Sequence, residues 1–207
     1  MTRVIAGAAG GRRLAVPRGT ATRPTSDRAR EGLFASVLSE LGSLDGRRVL
    51  DLYAGSGAVG LEALSRGAGH VLLVESDSRA AAVIKANVAA VGIAGATVVT
   101  DRAERLLAQP PEGASDRYDL VFADPPYAVT AAGVTRVLTL LAAGWLAGAA
   151  LVVVERATRS GPLDWPPGYS PGKSRKYGEA TFWYGWHDSG VIAGQTPGTA
   201  PRPAHEE

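Results

Sequence analysis

Cysteine is absent from all 207 residues. Disulfides, thiolate metal sites, cysteine-bound iron–sulfur clusters and any mechanism with a cysteine nucleophile are thereby excluded. Histidine is scarce: His70, His187 and His205 lie far apart without ligand spacing, so no metal is expected. No apolar run is long enough to span a bilayer. The segment 4–11 is too rich in Gly and Ala, and too soon interrupted by Arg12 and Arg13, to pass as the apolar stretch of a secretory signal. A cytoplasmic location is the expectation, and there are no internal repeats. What is present is 45% hydrophobic residues, ample for the core of one ordinary domain with attachments.

The net charge is only +2, but it is unevenly spread. Between residues 1 and 31 lie Arg3, Arg12, Arg13, Arg18, Arg23, Arg28 and Arg30, against only Asp27 and Glu31. A second basic cluster, Lys173, Arg175 and Lys176, lies near the carboxyl end. Basic segments at both ends of a balanced domain have the form of a phosphate-binding footprint. Any one of these arginines taken alone is as well explained as solvated surface charge.

Periodicity organises the rest. Residues 4–16 carry short apolar stretches around Gly7, Gly10 and Gly11, which predicts a small hairpin or extended arm. A helix is predicted after Pro24, capped by Thr25 or Ser26 and ended by Gly42, with Leu33, Phe34, Val37, Leu38 and Leu41 on its apolar face. Strands are predicted at 48–53, 71–75, 97–100, 120–123 and 150–155, and helices at 58–66, 79–91, 103–107 and 132–143. That alternation argues for a doubly wound, mostly parallel α/β sheet. After Glu155, glycines and prolines from Gly161 to Gly172 predict a loop. The segments 174–177 and 180–186 then read as a closing antiparallel hairpin turning at Gly178-Glu179, for seven strands in all. The division expected is a basic arm over 1–24, a domain over 25–188 led by a helix at 25–42, and a tail over 189–207 too poor in core-forming residues to order.

Two motifs carry chemistry. In the first, Leu120-Val121-Phe122-Ala123 reads as a buried parallel strand running into Asp124-Pro125-Pro126-Tyr127. The prolines cannot donate ladder hydrogen bonds and end the strand. An acid, a stiff turn and an aromatic ring are thus held where open α/β sheets place their ligands. The Asp124 carboxylate and a freed carbonyl can accept from an amino group, and Tyr127 can stack on a flat ring, a combination suited to the exocyclic amine of a nucleobase. A plain strand-ending turn would look the same if it stood alone.

The second motif runs upstream from Asp51 through Tyr53, Gly55, Ser56 and Gly57 to Gly60. Its glycines fit G-x-G-x-x-G, which lets backbone approach a cofactor closely and by itself equally suggests a nicotinamide dinucleotide. Asp51 shifts the balance. A carboxylate before the loop suits a cationic ligand end, such as the amino group of a methionine moiety. Beside a pyrophosphate it would sit poorly, at roughly 4 kcal/mol per unit-charge pair at about 4 Å and intermediate dielectric. The next strand ends at Glu75, followed by Ser76, where an acid binds ribose hydroxyls of either cofactor.

Together these segments resemble the class I S-adenosylmethionine-dependent amino-methyltransferases. The amino-terminal stretch is more specific. Arg3-Val4-Ile5-Ala6-Gly7, Gly11-Arg12-Arg13-Leu14 and above all the block from Arg23-Pro24-Thr25 through Arg28-Ala29-Arg30-Glu31 to Phe34 resemble the RsmD family, bacterial 16S ribosomal RNA guanine-N2 methyltransferases. Lys176-Tyr177-Gly178-Glu179 matches it as well, so the likeness runs from Arg3 to about Trp186. The resemblance implies a Rossmann-like methyltransferase fold, S-adenosylmethionine as cofactor and a guanine N2 of 16S RNA as methyl acceptor, at position 966 of that RNA. It implies Asp124, Pro125, Pro126 and Tyr127 as catalytic residues. Asp51, Tyr53, Gly55, Ser56, Gly57, Gly60, Glu75 and Ser76 would bind cofactor. Arg12, Arg13, Arg23, Arg28, Arg30, Lys173, Arg175 and Lys176 would contact RNA. The partner would be 16S RNA or an assembling small subunit, and the enzyme a monomer.

One segment departs from the family pattern. An acid followed by a small residue should grip the adenine, but here Arg102 stands between Asp101 and Ala103; either Asp101 takes that role with a shifted backbone, which is the expectation favoured, or Arg102 occupies the position and Ala103 supplies its amide. Methylation of adenine N6 shares the cofactor and the Asp-Pro-Pro-Tyr motif, but leaves the amino-terminal block unexplained. A nicotinamide-binding oxidoreductase or regulatory module would explain the glycines and give Asp124–Tyr127 no task.

Overall fold

The computed structural model describes residues 2–17 and 26–188. Seven strands form one sheet: β3 (Arg48–Leu52), β4 (His70–Glu75), β5 (Ala96–Thr100), β6 (Tyr118–Ala123), β7 (Leu146–Ala157), β8 (Tyr169–Tyr177) and β9 (Ala180–His187), in the order β5-β4-β3-β6-β7-β9-β8. The first five are parallel, and the sheet closes with β9 antiparallel to β7 and β8 antiparallel to β9. Chain order runs outward from β3 in one direction and from β6 in the other, so the crevice between β3 and β6 is the switch point where such sheets bind ligands. Among the described residues no helix is long and apolar enough to cross a membrane.

The strands are apolar on both faces because helices cover both. Leu50, Leu52, Val121, Ala123, Val152 and Val154 pack with α4 (Ala103–Leu107) and α5 (Ala131–Ala142). Val49, Leu120, Phe122, Leu151 and Val153 pack with α1 (Asp27–Leu41), α2 (Ala58–Ser65) and α3 (Ser78–Val91). Helix α1 starts at Ser26, whose hydroxyl accepts from the Ala29 N–H at 3.2 Å, and stops at Gly42, with φ of 73°. It buries Leu33, Phe34 and Val37, with the Phe34 ring 5.6 Å from Phe122. Each such side chain contributes about 1.5–3 kcal/mol. Leu38 and Leu41 of the predicted stripe are only partly buried.

The boundaries of β7 and β8 differ from expectation. Strand β7 runs past Glu155 because Arg156 and Ala157 keep pairing with Thr181 and Ala180 of β9. Strand β8 starts at Tyr169, inside the predicted loop, and takes in Pro171 and Gly172. It is an edge strand with a register shift between Pro171 and Ser174, the setting in which a sheet tolerates proline.

The amino-terminal segment is a hairpin, β1 (Thr2–Arg3) against β2 (Arg13–Leu14), docked on the domain. Val4 and Leu14 are buried in the α1–α3 core. The fully buried Glu62 of α2 accepts from the backbone N–H of Ile5 at 2.6 Å and Ala6 at 3.0 Å, and from Arg66 Nε at 2.7 Å. Asn87 of α3 donates to the Ala15 and Ser56 carbonyls, each at 2.9 Å, tying hairpin to glycine loop. Gly7, at φ of 81°, admits no side chain because a Cβ would collide with the Ser65 carbonyl.

Candidate active site

A cavity of about 230 Å³ opens at the carboxyl ends of β3, β4, β6 and β7. Register explains what lines it. Asp51 pairs with Phe122 and Phe122 with Val153, so these three share one face. Two residues further along, Asp124 and Glu155 keep to that face, because strand side chains repeat every second residue, while Tyr53 lies in the turn after β3 and packs with the α4–α5 side. All six line the cavity, with Gly55, Ser56, Glu75, Ser76, Asp77 and Pro126, and with Val16 and Pro17 from the hairpin.

The wall is acidic. Asp51 is buried, and one carboxylate oxygen accepts from the Gly60 N–H at 2.8 Å. Burial raises it to about 7, against that hydrogen bond and with help from the Glu75 charge. Glu75 accepts from the N–H groups of Gly55 at 2.9 Å and Asp77 at 2.8 Å, which fixes the loop against the end of β4. Asp124 is pushed well above the usual carboxylate range by the protein packed around it, then by Glu155 and Asp51. By surface area the residue is still exposed at the cavity mouth, so water moderates that desolvation. Tyr53 sits at φ of 61°, a left-handed conformation that costs a non-glycine residue on the order of 1 kcal/mol. Its hydroxyl donates to Glu104 Oε1 at 3.4 Å; burial and then the Glu104 charge push its pKa up, so it stays a donor.

A second, smaller cavity adjoins the first, sharing Asp124 and Glu155 and lined further by Pro125, Tyr127, Arg156, Ala157, Ser160 and Ala180. The turn is closed by the Val129 N–H donating to the Pro126 carbonyl at 2.8 Å. Tyr127 is 67% exposed, and the Arg159 guanidinium carbon lies 5.9 Å from its ring centre. A large exposed aromatic beside a cavity is a stacking platform for a flat ring.

Of the expected cofactor residues, Asp51, Tyr53, Gly55, Ser56, Glu75 and Ser76 come together, and Gly57, Gly60, Asp101, Arg102 and Ala103 stay outside the lining. The three glycines differ in what surrounds them. Gly55 sits at φ of 57° with space before it. Gly57 caps α2 at φ of 76°, and a Cβ on Gly60 would come within 2.9 Å of Leu73 and Val71, so these two serve turn and helix packing. Asp101 is engaged locally, accepting from the Arg102 N–H at 2.8 Å and lying 3.5 Å from Arg105. From this segment it is Glu104 that reaches the cavity wall, through Tyr53.

The expected RNA contacts separate in the same way. Arg30 is 1% exposed, which corrects its assignment to phosphate. It donates to Thr2 Oγ1 at 3.1 Å, to Asp27 Oδ1 at 3.0 Å and to the Arg3 carbonyl, locking hairpin to α1. Lys173 is held by Glu40 at 2.7 Å and lies 5.4 Å from the Tyr184 ring. Arg12, Arg13, Arg28, Arg175 and Lys176 are exposed. Arg23, Arg18, the capping alternative Thr25 and the tail lie outside the described residues.

Glu155, Glu104, Arg156 and Arg159 went unnoticed in the sequence. For Glu155 a signal existed: like Glu75 and Asp124, it is an acid directly after a run of buried strand residues.

A family model described as Conserved hypothetical protein 95 matches residues 2–186. Ribosomal RNA small subunit methyltransferase D of Escherichia coli K12 is 36% identical over 184 residues, 87% of each chain. The protein of the same name from Haemophilus influenzae is 33% identical, over 87% of this chain and 91% of its own. Among solved structures, Escherichia coli yhhF superposes with a TM-score of 0.78 at 32% identity, covering 90% of this chain and 98% of that one. A match along nearly the whole described chain, at about one residue in three, leads to one conclusion: the chain belongs to the RsmD family.

Proposed function

We propose that this chain transfers a methyl group from S-adenosylmethionine to the exocyclic N2 of a guanine in small-subunit ribosomal RNA. The observation that carries the reading is the acidic cavity ending on Asp124 beside an exposed Tyr127. The ribosomal RNA and the methyl group come from the relatives' names. The cavity fits the cofactor by charge. Asp51, Glu75, Asp77, Asp124 and Glu155 line it, and Arg30, the one basic residue in that lining among the described residues, directs its guanidinium into the hairpin. Such a wall attracts a ligand carrying a sulfonium and an ammonium, and repels a pyrophosphate. Asp51 would hold the ammonium, Glu75 the ribose hydroxyls, and Gly55 leaves its backbone open to the ligand.

When bound, the cofactor supplies a methyl group already activated on positive sulfur. The residues therefore need mainly to align and to stabilise. Guanine N2 is a poor nucleophile because its lone pair is delocalised into the ring. Its protons would be accepted by the Asp124 carboxylate and the Pro125 carbonyl, favouring pyramidal nitrogen and offsetting the charge that develops. The upward shift of Asp124 also makes it a better proton acceptor than a solvated carboxylate. Tyr127 would stack on the base, which must leave its helix to enter.

The deciding experiment is nucleoside mass spectrometry of small-subunit RNA from a strain lacking this gene, before and after incubation with the protein and S-adenosylmethionine. N2-methylguanosine is expected; N6-methyladenosine in its place would overturn the reading, as would equilibrium binding of NAD in preference to S-adenosylmethionine.

Cofactor affinity should depend on pH through Asp51. Its pKa is raised to about 7, so it is neutral below that value, and a cationic ligand end prefers it ionised. Binding releases the proton, and affinity rises with pH. Between about pH 5.5 and pH 7 the dissociation constant should fall on the order of tenfold. The ligand-free protein follows the opposite sense, losing the stability of protonated Asp51 as pH rises from the ordinary carboxylate range toward 7. Calorimetric titration at several pH values checks this, and an equal slope in Asp51→Asn would assign the dependence elsewhere.

RNA affinity should fall steeply with salt, at a log–log slope of roughly −0.7 per single-strand phosphate contact. Arg12 and Arg13 are exposed at the end of the docked hairpin. Replacing both with Ala should make the slope shallower by about one to two units and leave cofactor binding alone. An unchanged slope would move the contact to Arg175 and Lys176 on the edge strand.

A further inference from the structure

Two carboxylates, not one, stand where a base would meet the cofactor cavity. Strands β6 and β7 are parallel neighbours in the register Ala123↔Val154. The next residues along, Asp124 just past the end of β6 and Glu155 still within β7, therefore stand side by side on the same face. Both line the large cavity, and both line the smaller one beside Tyr127. Asp51 shares the face but lies two residues deeper, with one oxygen on the Gly60 N–H. Of the three, only Asp124 and Glu155 border the space that Tyr127 also borders.

The edge of guanine that carries N2 has a second donor next to it, the N1–H. Adenine offers one amino donor, N6, beside N1 as a bare acceptor. Paired carboxylates, which are acceptors only when ionised, can take a proton from each guanine donor. Set against adenine, the second carboxylate would face a lone pair, leaving both groups without a hydrogen bond. We propose that Glu155 accepts the N1–H of the target base while Asp124 holds its N2 amino group, so that the two acids together select guanine over adenine. This rests on the guanine-N2 reading above and extends it to the residue that sets base specificity. The Asp-Pro-Pro-Tyr turn handles an exocyclic amine of either purine; the neighbouring strand decides which purine.

The test uses full-length enzyme and small subunits reconstituted on RNA carrying guanine, 2-aminopurine or adenine at the methylated position. 2-Aminopurine keeps the amine on C2 and replaces the N1–H with an acceptor. Wild type should methylate guanine about 10–100-fold faster than 2-aminopurine. Glu155→Gln still accepts the guanine N1–H through its amide oxygen and can turn its amide to donate to the bare N1 of 2-aminopurine, so the guanine rate should hold within a few-fold while the 2-aminopurine rate rises. The ratio then collapses toward one. S-adenosylmethionine affinity, measured by titration, should stay within about threefold, and the fluorescence of the unstacked 2-aminopurine should report that the base still enters. Equal slowing on both bases, with the ratio preserved, would overturn the proposal and make Glu155 a general proton acceptor or a structural residue. A wild-type enzyme indifferent to the N1–H would overturn it too. Transfer to adenine but not guanine by wild type would instead sink the broader reading.

Discussion

Asp124→Ala should slow methyl transfer by about 10²–10³-fold at saturating cofactor, the loss typical of one preorganised hydrogen-bonding group at a developing charge. Cofactor affinity should change only a few-fold, because the residues expected to grip the ligand lie on β3 and β4 while Asp124 ends β6. Asp124 also borders the smaller cavity that Tyr127 borders, which supports a role toward the base. Asp124→Asn divides its two roles. An amide oxygen still accepts from the amine, so Asn should keep far more activity than Ala if hydrogen bonding dominates. Equal loss in both variants would make proton acceptance the larger role, and near-normal turnover in Ala would remove Asp124 from the mechanism. Single-turnover rates and cofactor titration on the same preparations give the answer.

Glu62→Ala should cost about 3–5 kcal/mol of stability, the range for removing one partner from a buried ionic cluster. Glu62 is fully buried and accepts from Ile5 N, Ala6 N and Arg66, and Arg30 Nε lies 3.9 Å from it. Without it, two partly buried backbone N–H groups and the Arg66 guanidinium lose their acceptor together, and the buried Arg30 loses a neighbouring opposite charge. For a domain of this size the midpoint of thermal unfolding should drop on the order of 10 °C. Cofactor binding should weaken as well, since Val16 and Pro17 line the cavity and the hairpin holding them would loosen. Glu62→Gln keeps an acceptor of the same shape and should lose less. A drop under about 1 kcal/mol in Glu62→Ala would mean that Val4 and Leu14 dock the hairpin without the carboxylate.

The residues that end strands were legible in the sequence because their signals are local. An acid after an apolar run marks the carboxyl end of a buried strand wherever the sheet lies, and Glu75 and Asp124 were found that way, while Asp51 stood out as an acid inside an apolar strand just before the glycine loop. Glycine and proline punctuated the rest, and the alternation of runs gave the doubly wound class and the closing hairpin. The amino-terminal arginines show the limit. Arg12, Arg13, Arg28 and Arg30 are equivalent in a charge count, yet three are exposed and Arg30 is buried. What separates them is Glu62, Asp27 and the Arg3 carbonyl converging from three elements, a balance of desolvation against hydrogen bonds that exists only once α1, α2 and the hairpin have packed. The glycines divided for a similar reason: side chains from β4 meet Gly60, and open space meets Gly55. The pairing of Asp124 with Glu155 is likewise a matter of strand order and register, across 31 positions of sequence. Local chemistry determined which residues stand at the ends of the strands; the packing of the sheet decided which of them face one another.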